Sequence, residues 1–237
     1  VTVSLVNGTF AESENVITRD RMLDVSVVGP EDEVQHPPRS DWRDEGNTTL
    51  LDLKTGKTGT CTIGVSTAAR IIELSADDFN EYLKHDGIVD TLKSRTDANE
   101  LKLDVAERYS KHVKAIVQVG DQRSSGFDAR LGYPVEFVPL QNPYELSVGD
   151  SLKVKFLKDG QPVAHQMVYA SHESFHGHDK DGNHIEAFSG RTDQDGVVNV
   201  KLDTAGRWYV RTIYMDKIDE TDADYESNWA TLTFEIR

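Results

Sequence analysis

A single cysteine, Cys61, occurs in 237 residues, so no disulfide can form within the chain. It sits in an apolar–polar alternation with Ile63 and Val65 and reads as a small buried hydrophobe, not a nucleophile. No apolar run approaches the roughly 20 residues of a membrane-spanning helix. Positive charge is scarce. Twenty-six Lys and Arg stand against 41 Asp and Glu, a formal net charge of −15, and so acidic a surface repels phosphate backbones and excludes nucleic acid as the expected partner. Also missing are a Gly-x-Ser-x-Gly elbow, a His-Glu-x-x-His helix and a glycine-rich phosphate loop. No enzymatic activity is expected. No repeat at a solenoid period is visible.

What is present suits a soluble protein with one large domain or two of ordinary size, at 37% hydrophobic and 28% charged residues. The chain opens without Met, directly in the strand-like run Val1-Thr-Val-Ser-Leu-Val6. That start reads as a processed N-terminus from which a signal peptide has been removed, so the expected location is periplasmic or extracellular.

Residues 1–6, 22–28, 48–53, 60–66 and 70–74 alternate or run apolar between turn signals, as strands do. The charged stretch 31–46, with Pro37 and Pro38, reads as a loop. The period then changes. Ser75 is a good N-cap, Asp77 and Asp78 occupy a first turn, and Phe79, Tyr82 and Leu83 follow at helical spacing. Gly87 ends that helix, 88–93 reads as a second short one, and 101–111 as a third leading into a strand over 112–119. After a polar stretch at 120–126, short strands return at 135–139, 151–158, 166–170, 197–202, 206–214 and 229–236, joined by tight turns such as Lys158-Asp159-Gly160. The expected class is mainly β. Two sandwich-like domains are expected, 1–130 with a helical segment at about 75–111, and 131–237.

The densest chemical signal is histidine. Five of the eight, His165, His172, His176, His178 and His184, fall within twenty residues, interleaved with Glu173, Asp179, Asp181 and Glu186. Imidazole and carboxylate bind borderline divalent metals. His176 and His178 would point to one side of an extended strand, and Gly177 and Gly182 leave the backbone free to wrap an ion. The plainer reading is a polar hairpin loop, but four histidines in thirteen residues favour real affinity for Zn²⁺, Ni²⁺ or Cu²⁺. Asp179-Lys-Asp181-Gly182-Asn183 hints at a calcium loop, yet the twelfth position holds Gly190 where a bidentate Glu is required, so a turn is the better reading. The run Arg108-Tyr-Ser-Lys111-His112 with Lys114 reads as ion-pairing and packing residues. Trp42, Trp208 and Trp229 could form a sugar platform, although Trp208 and Trp229 lie in strand patterns that favour core packing.

The run Gly132-Tyr-Pro-Val-Glu-Phe-Val-Pro-Leu140 is followed by Pro143-Tyr144, Gly149-Asp150, Asp159-Gly-Gln-Pro162, Arg191-Thr-Asp193 and Gly206-Arg-Trp-Tyr-Val-Arg211. With Glu226-Ser227 and Trp229-Ala230, this order resembles the DUF4198 family of NikM-like secreted or periplasmic bacterial proteins. Phe79-Asn80, Tyr82-Leu83 and Glu107-Arg-Tyr-Ser-Lys111 look like the same family's middle segment, so the resemblance covers roughly 65–237. It implies an N-terminal β domain, a helical segment and a C-terminal sandwich of immunoglobulin or carboxypeptidase-regulatory type. Members commonly begin with a His-Asp-containing strand, which has no match here, and some carry a histidine-rich insert where His172 to His184 falls. The resulting expectation is capture of a divalent transition metal for uptake or delivery, with a membrane transporter component as a candidate partner. The alternative is a carbohydrate-binding or adhesion module.

Overall fold

The computed structural model describes residues 2–8, 10, 13–31, 33–53, 57–178 and 185–237. In chain order the strands are β1 (Thr2–Leu5), β2 (Asn7–Gly8), β3 (Ser13–Asn15), β4 (Met22–Val28), β5 (Val34–Gln35), β6 (Trp42–Glu45), β7 (Thr48–Asp52), β8 (Gly59–Thr67) and β9 (Arg70–Leu74). Helices α1 (Ala76–His85) and α2 (Val89–Asp97) follow. The second half comprises β10 (Val105–Val119), β11 (Val135–Pro139), β12 (Ser151–Lys158), β13 (Gln161–Pro162), β14 (Met167–His172), β15 (Phe188–Arg191), β16 (Val197–Lys201), β17 (Gly206–Lys217) and β18 (Tyr225–Ile236).

The chain is mainly β, as expected. Its backbone is a nine-stranded sheet among the described residues, ordered β15-β14-β17-β18-β10-β8-β4-β5, with β9 also on β10. The β10–β18 pair is parallel, from Glu107 opposite Tyr225 to Ala115 opposite Thr233. One face of this sheet packs on β11, β12 and β16 to make a sandwich. Alternation along β12 sends Leu152, Val154 and Phe156 inward, and they meet Val210, Leu232 and Phe234 from β17 and β18. At the other end β1, β7 and β6 cover a smaller core around Trp42, Leu51 and Val65. The second large-sheet face carries the helices, with Phe79, Leu83, Ile88, Ile213 and Tyr225 buried between them.

Helix α1 starts where its cap predicts: the Ser75 hydroxyl accepts from the Asp78 amide at 3.2 Å. Phe79 and Leu83, four apart, are its buried stripe. Gly87 stands at φ +74°, and a Cβ there would meet the Tyr169 hydroxyl at 2.2 Å, so the turn into α2 requires glycine.

Two expectations need correction. Residues 101–111 do not form a helix. From Val105 onward the chain is β10, held by β9 and β8 along one edge and by β18 along the other, so ladder pairing on both sides overrides local helix preference. The stretch 31–46 is not all loop, because Trp42 is buried and anchors β6. Both sandwich-like units share the large sheet, and β10 from the first half bonds directly to β18 from the second.

Candidate functional site

Strand β14 is bonded to β15 on one side and β17 on the other. Its alternation buries Val168 and Ala170 and makes His172 the last inward residue, 6% exposed. The His172 ring lies 4.7 Å from the Trp208 ring and 5.7 Å from that of Phe175. Its Nδ1 is 2.9 Å from the Ser174 hydroxyl, and Nε2 is 3.7 Å from an Asp203 carboxylate oxygen. His172 therefore supports the base of the loop that follows.

Beyond it the chain turns out to solvent. His176 and His178 are both exposed, and the His178 Nδ1 lies 3.4 Å from the His176 carbonyl. The Ile185 amide donates to the Gly177 carbonyl at 3.1 Å and closes the loop at its neck. His184, Asp179 and Asp181 lie outside the described residues. The acids that flank the loop are engaged elsewhere. Glu173 accepts from the Arg207 backbone amide at 3.1 Å and from its guanidinium at 2.8 Å, which hold its carboxyl below the usual range. Glu186 accepts from the Tyr209 hydroxyl at 2.5 Å and from Arg211 at 2.9 Å.

His165 stands apart from the other four. It precedes β14, whereas His172 closes it, so at least about 16 Å of extended strand separates them. One ion, which binds imidazole nitrogen at about 2 Å, cannot take both. His165 instead turns a corner at φ +61°, its amide bonded to the Thr192 carbonyl and its Nε2 2.9 Å from the Gln194 side-chain amide. Among the described residues no group of three His, Cys, Asp or Glu side chains converges to hold a metal ion. His176 and His178, on either side of Gly177, are exposed at the neck of the loop.

The tryptophans pack inward. Trp42 is 3% and Trp208 1% exposed, and Trp229 stacks on Tyr82 with centroids 6.2 Å apart and planes 6° from parallel. None leaves an open ring face for a sugar.

Two features escape the sequence reading. A groove of about 600 Å³ runs beside Trp42, lined by His36, Pro37, Pro38, Arg43 and Asp52 among others. The adjacent Pro-Pro and Trp were its available signal. The second is a buried pair: Lys114 Nζ lies 2.6 Å from Glu136, each side chain 2% exposed. Nothing local marks it, because the partners meet only when β10 packs on β11.

A family model described as "Domain of unknown function (DUF4198)" matches residues 1–216. The match takes in the N-terminal strands that the resemblance over 65–237 leaves out, and stops before β18. Among solved structures the chain is similar to the "D0-D1 domain of Intimin", at 13% identity over 98% of this chain and 88% of that one. The TM-score is 0.21, too low to carry a structural argument. No curated protein matches the chain.

Proposed function

The chain belongs to the DUF4198 family, and we propose that it captures a divalent transition metal ion, Ni²⁺, Zn²⁺ or Cu²⁺, at the neck of the loop between β14 and β15. The metal is cargo, taken up outside the cytoplasm in a secreted or periplasmic setting and passed on, a membrane transporter component being the fitting recipient. The supporting observation is the pair His176 and His178. Both rings are exposed, and the His178 Nδ1 lies 3.4 Å from the His176 carbonyl, the kind of backbone contact that orients a ligating imidazole. His184, outside the described residues, is the further histidine that the sequence offers, and His172 holds the loop's base instead of ligating. Two or three imidazoles on a glycine-containing loop form an open, exchangeable site, as delivery requires.

The mechanism is reversible coordination by neutral imidazole. Protons compete with the metal for the same ring nitrogens, so binding weakens with acidification. Calorimetric titration with Ni²⁺, Zn²⁺ and Cu²⁺ tests the reading. The variant His176→Ala/His178→Ala is expected to lose at least tenfold in affinity, and His165→Ala to match the parent. Equal affinity in the double variant and the parent would sink the proposal.

A further inference from the structure

Strand β10 directs Lys111 to the helix-bearing face of the large sheet, and its surroundings there are unusual for a cation. Its Nζ stands 4.5 Å from the centre of the Trp229 ring. Its polar partner is the side-chain amide of Asn7 on β2, with Nζ 2.7 Å from Oδ1. Among the described residues no carboxylate pairs with it. Burial, helped by the nearby Arg21 charge, pushes the ammonium pKa down and favours the neutral amine, and a desolvated lysine of this kind is a nucleophile. The charge of Asp86, at the C-terminus of α1, acts on Lys111 in the opposite direction. An amine and a primary amide thus meet against an aromatic ring.

We propose that Lys111 and Asn7 become joined by an intramolecular isopeptide bond. The neutral Nζ attacks the Asn7 side-chain carbonyl carbon and forms a tetrahedral intermediate. A proton passes from the attacking nitrogen to the departing Nδ2. The Cγ–Nδ2 bond breaks, ammonia leaves, and an Nζ–Cγ amide remains. No oxidant or co-reactant is consumed. The hydrogen bond from the Asn7 backbone amide to the Ser13 hydroxyl at 2.9 Å fixes the strand that presents the electrophile. The product ties β2 to the central strand of the large sheet across 104 residues of chain. That closes a loop containing the N-terminal unit and both helices and removes unfolded-state freedom as a disulfide would, in a chain whose single cysteine cannot form one.

Intact-mass spectrometry of the denatured full chain tests this. The protein is expected to be lighter than its sequence mass by one ammonia molecule, and digestion with trypsin to yield a branched peptide joining the Asn7 segment to the Lys111 segment. Asn7→Ala and Lys111→Arg should run at their full sequence masses. An unmodified parent mass overturns the proposal regardless of how the variants fold. So does the same mass loss with two separate peptides, because Asn7-Gly8 can also lose ammonia by closing a succinimide on its own backbone.

Discussion

The two faces of β10 treat buried charge in opposite ways. On the sandwich face Lys114 meets Glu136 at 2.6 Å and donates to the Ala129 and Phe137 carbonyls, while Glu136 accepts from the Leu131 and Gly132 amides. Every charge there has a counter-charge and satisfied hydrogen bonds. On the helix face, Glu107 is 1% exposed and receives only neutral donors, the Tyr82 hydroxyl at 3.2 Å and the Ser227 hydroxyl. Burial raises its pKa, and burial lowers that of Lys111 on the same face. Burial lowers the pKa of Lys114 too, but there the Glu136 carboxylate opposes it, whereas on the helix face, among the described residues, no counter-charge contacts Glu107 or Lys111. The first arrangement is structural cement, and the second leaves reactive groups.

The largest expected effect comes from breaking the paired face. Glu136→Ala strands the Lys114 ammonium in the core and should cost about 3–5 kcal/mol of unfolding free energy, read from urea denaturation. A loss under about 1 kcal/mol would mean that water or a rearranged carbonyl satisfies Lys114 and that the faces do not differ. Glu107→Gln works in the other direction. The folded-state pKa of Glu107 lies above its ordinary 4.5, so its contribution to stability is greatest below 4.5 and is lost as pH rises through the raised value. The Gln variant keeps an acceptor for Tyr82 and Ser227 without the charge. At pH 7 it should be more stable than the parent, and that advantage should vanish as pH approaches 4.5.

His112 has the opposite sign. It is buried at 3% beside Ser66, Ser110 and Asn228, and burial lowers its pKa from 6.5. Its contribution is complete above 6.5 and is lost as pH falls through the depressed value. His112→Gln should therefore flatten the acid limb of a stability–pH curve, and an unchanged slope below 6.5 would place the titration elsewhere.

These contrasts also explain what can be read from sequence. The strands over 22–28, 151–158 and 197–202 are legible because one face of each is more deeply buried, so apolar residues alternate. Helix α1 is legible from Ser75 and the Phe79–Leu83 spacing. β10 is not. Its helix-facing side mixes Val105, Glu107, Tyr109 and Lys111, and its other side holds Arg108, Ser110, His112 and Lys114, so no apolar period survives where buried polar groups are satisfied by distant partners. The same cause hides Glu136 and Asn7. Of the histidines, composition marks the loop but cannot say that His172 faces Trp208 or that His165 lies at the far end of β14, because both follow from strand direction and register.

A smaller effect tests the helices that close the charge-shifting face. Ser75→Ala removes the acceptor for the Asp78 amide and should cost about 1 kcal/mol. Because Tyr82 rides on α1, loosening the helix should also admit water to Glu107 and reduce the pH-dependent gain of Glu107→Gln. Additive behaviour of the two substitutions would show that the cap does not control burial of that carboxyl.

The smallest expected effect separates both faces of β10 from the loop. His176 and His178 are exposed and pack no core, so changing both to Ala should move metal-free stability by no more than about 0.5 kcal/mol. Metal changes that balance only in the parent. A ligand at a hundredfold excess over its Kd stabilises the folded state by about 2.7 kcal/mol, which thermal melts with and without Ni²⁺, Zn²⁺ or Cu²⁺ resolve easily. The parent should gain and the double variant should not. If the metal-free double variant melted well below the parent, the pair would be holding the loop together, and the division between a rigid charged framework and a separable capture loop would fail.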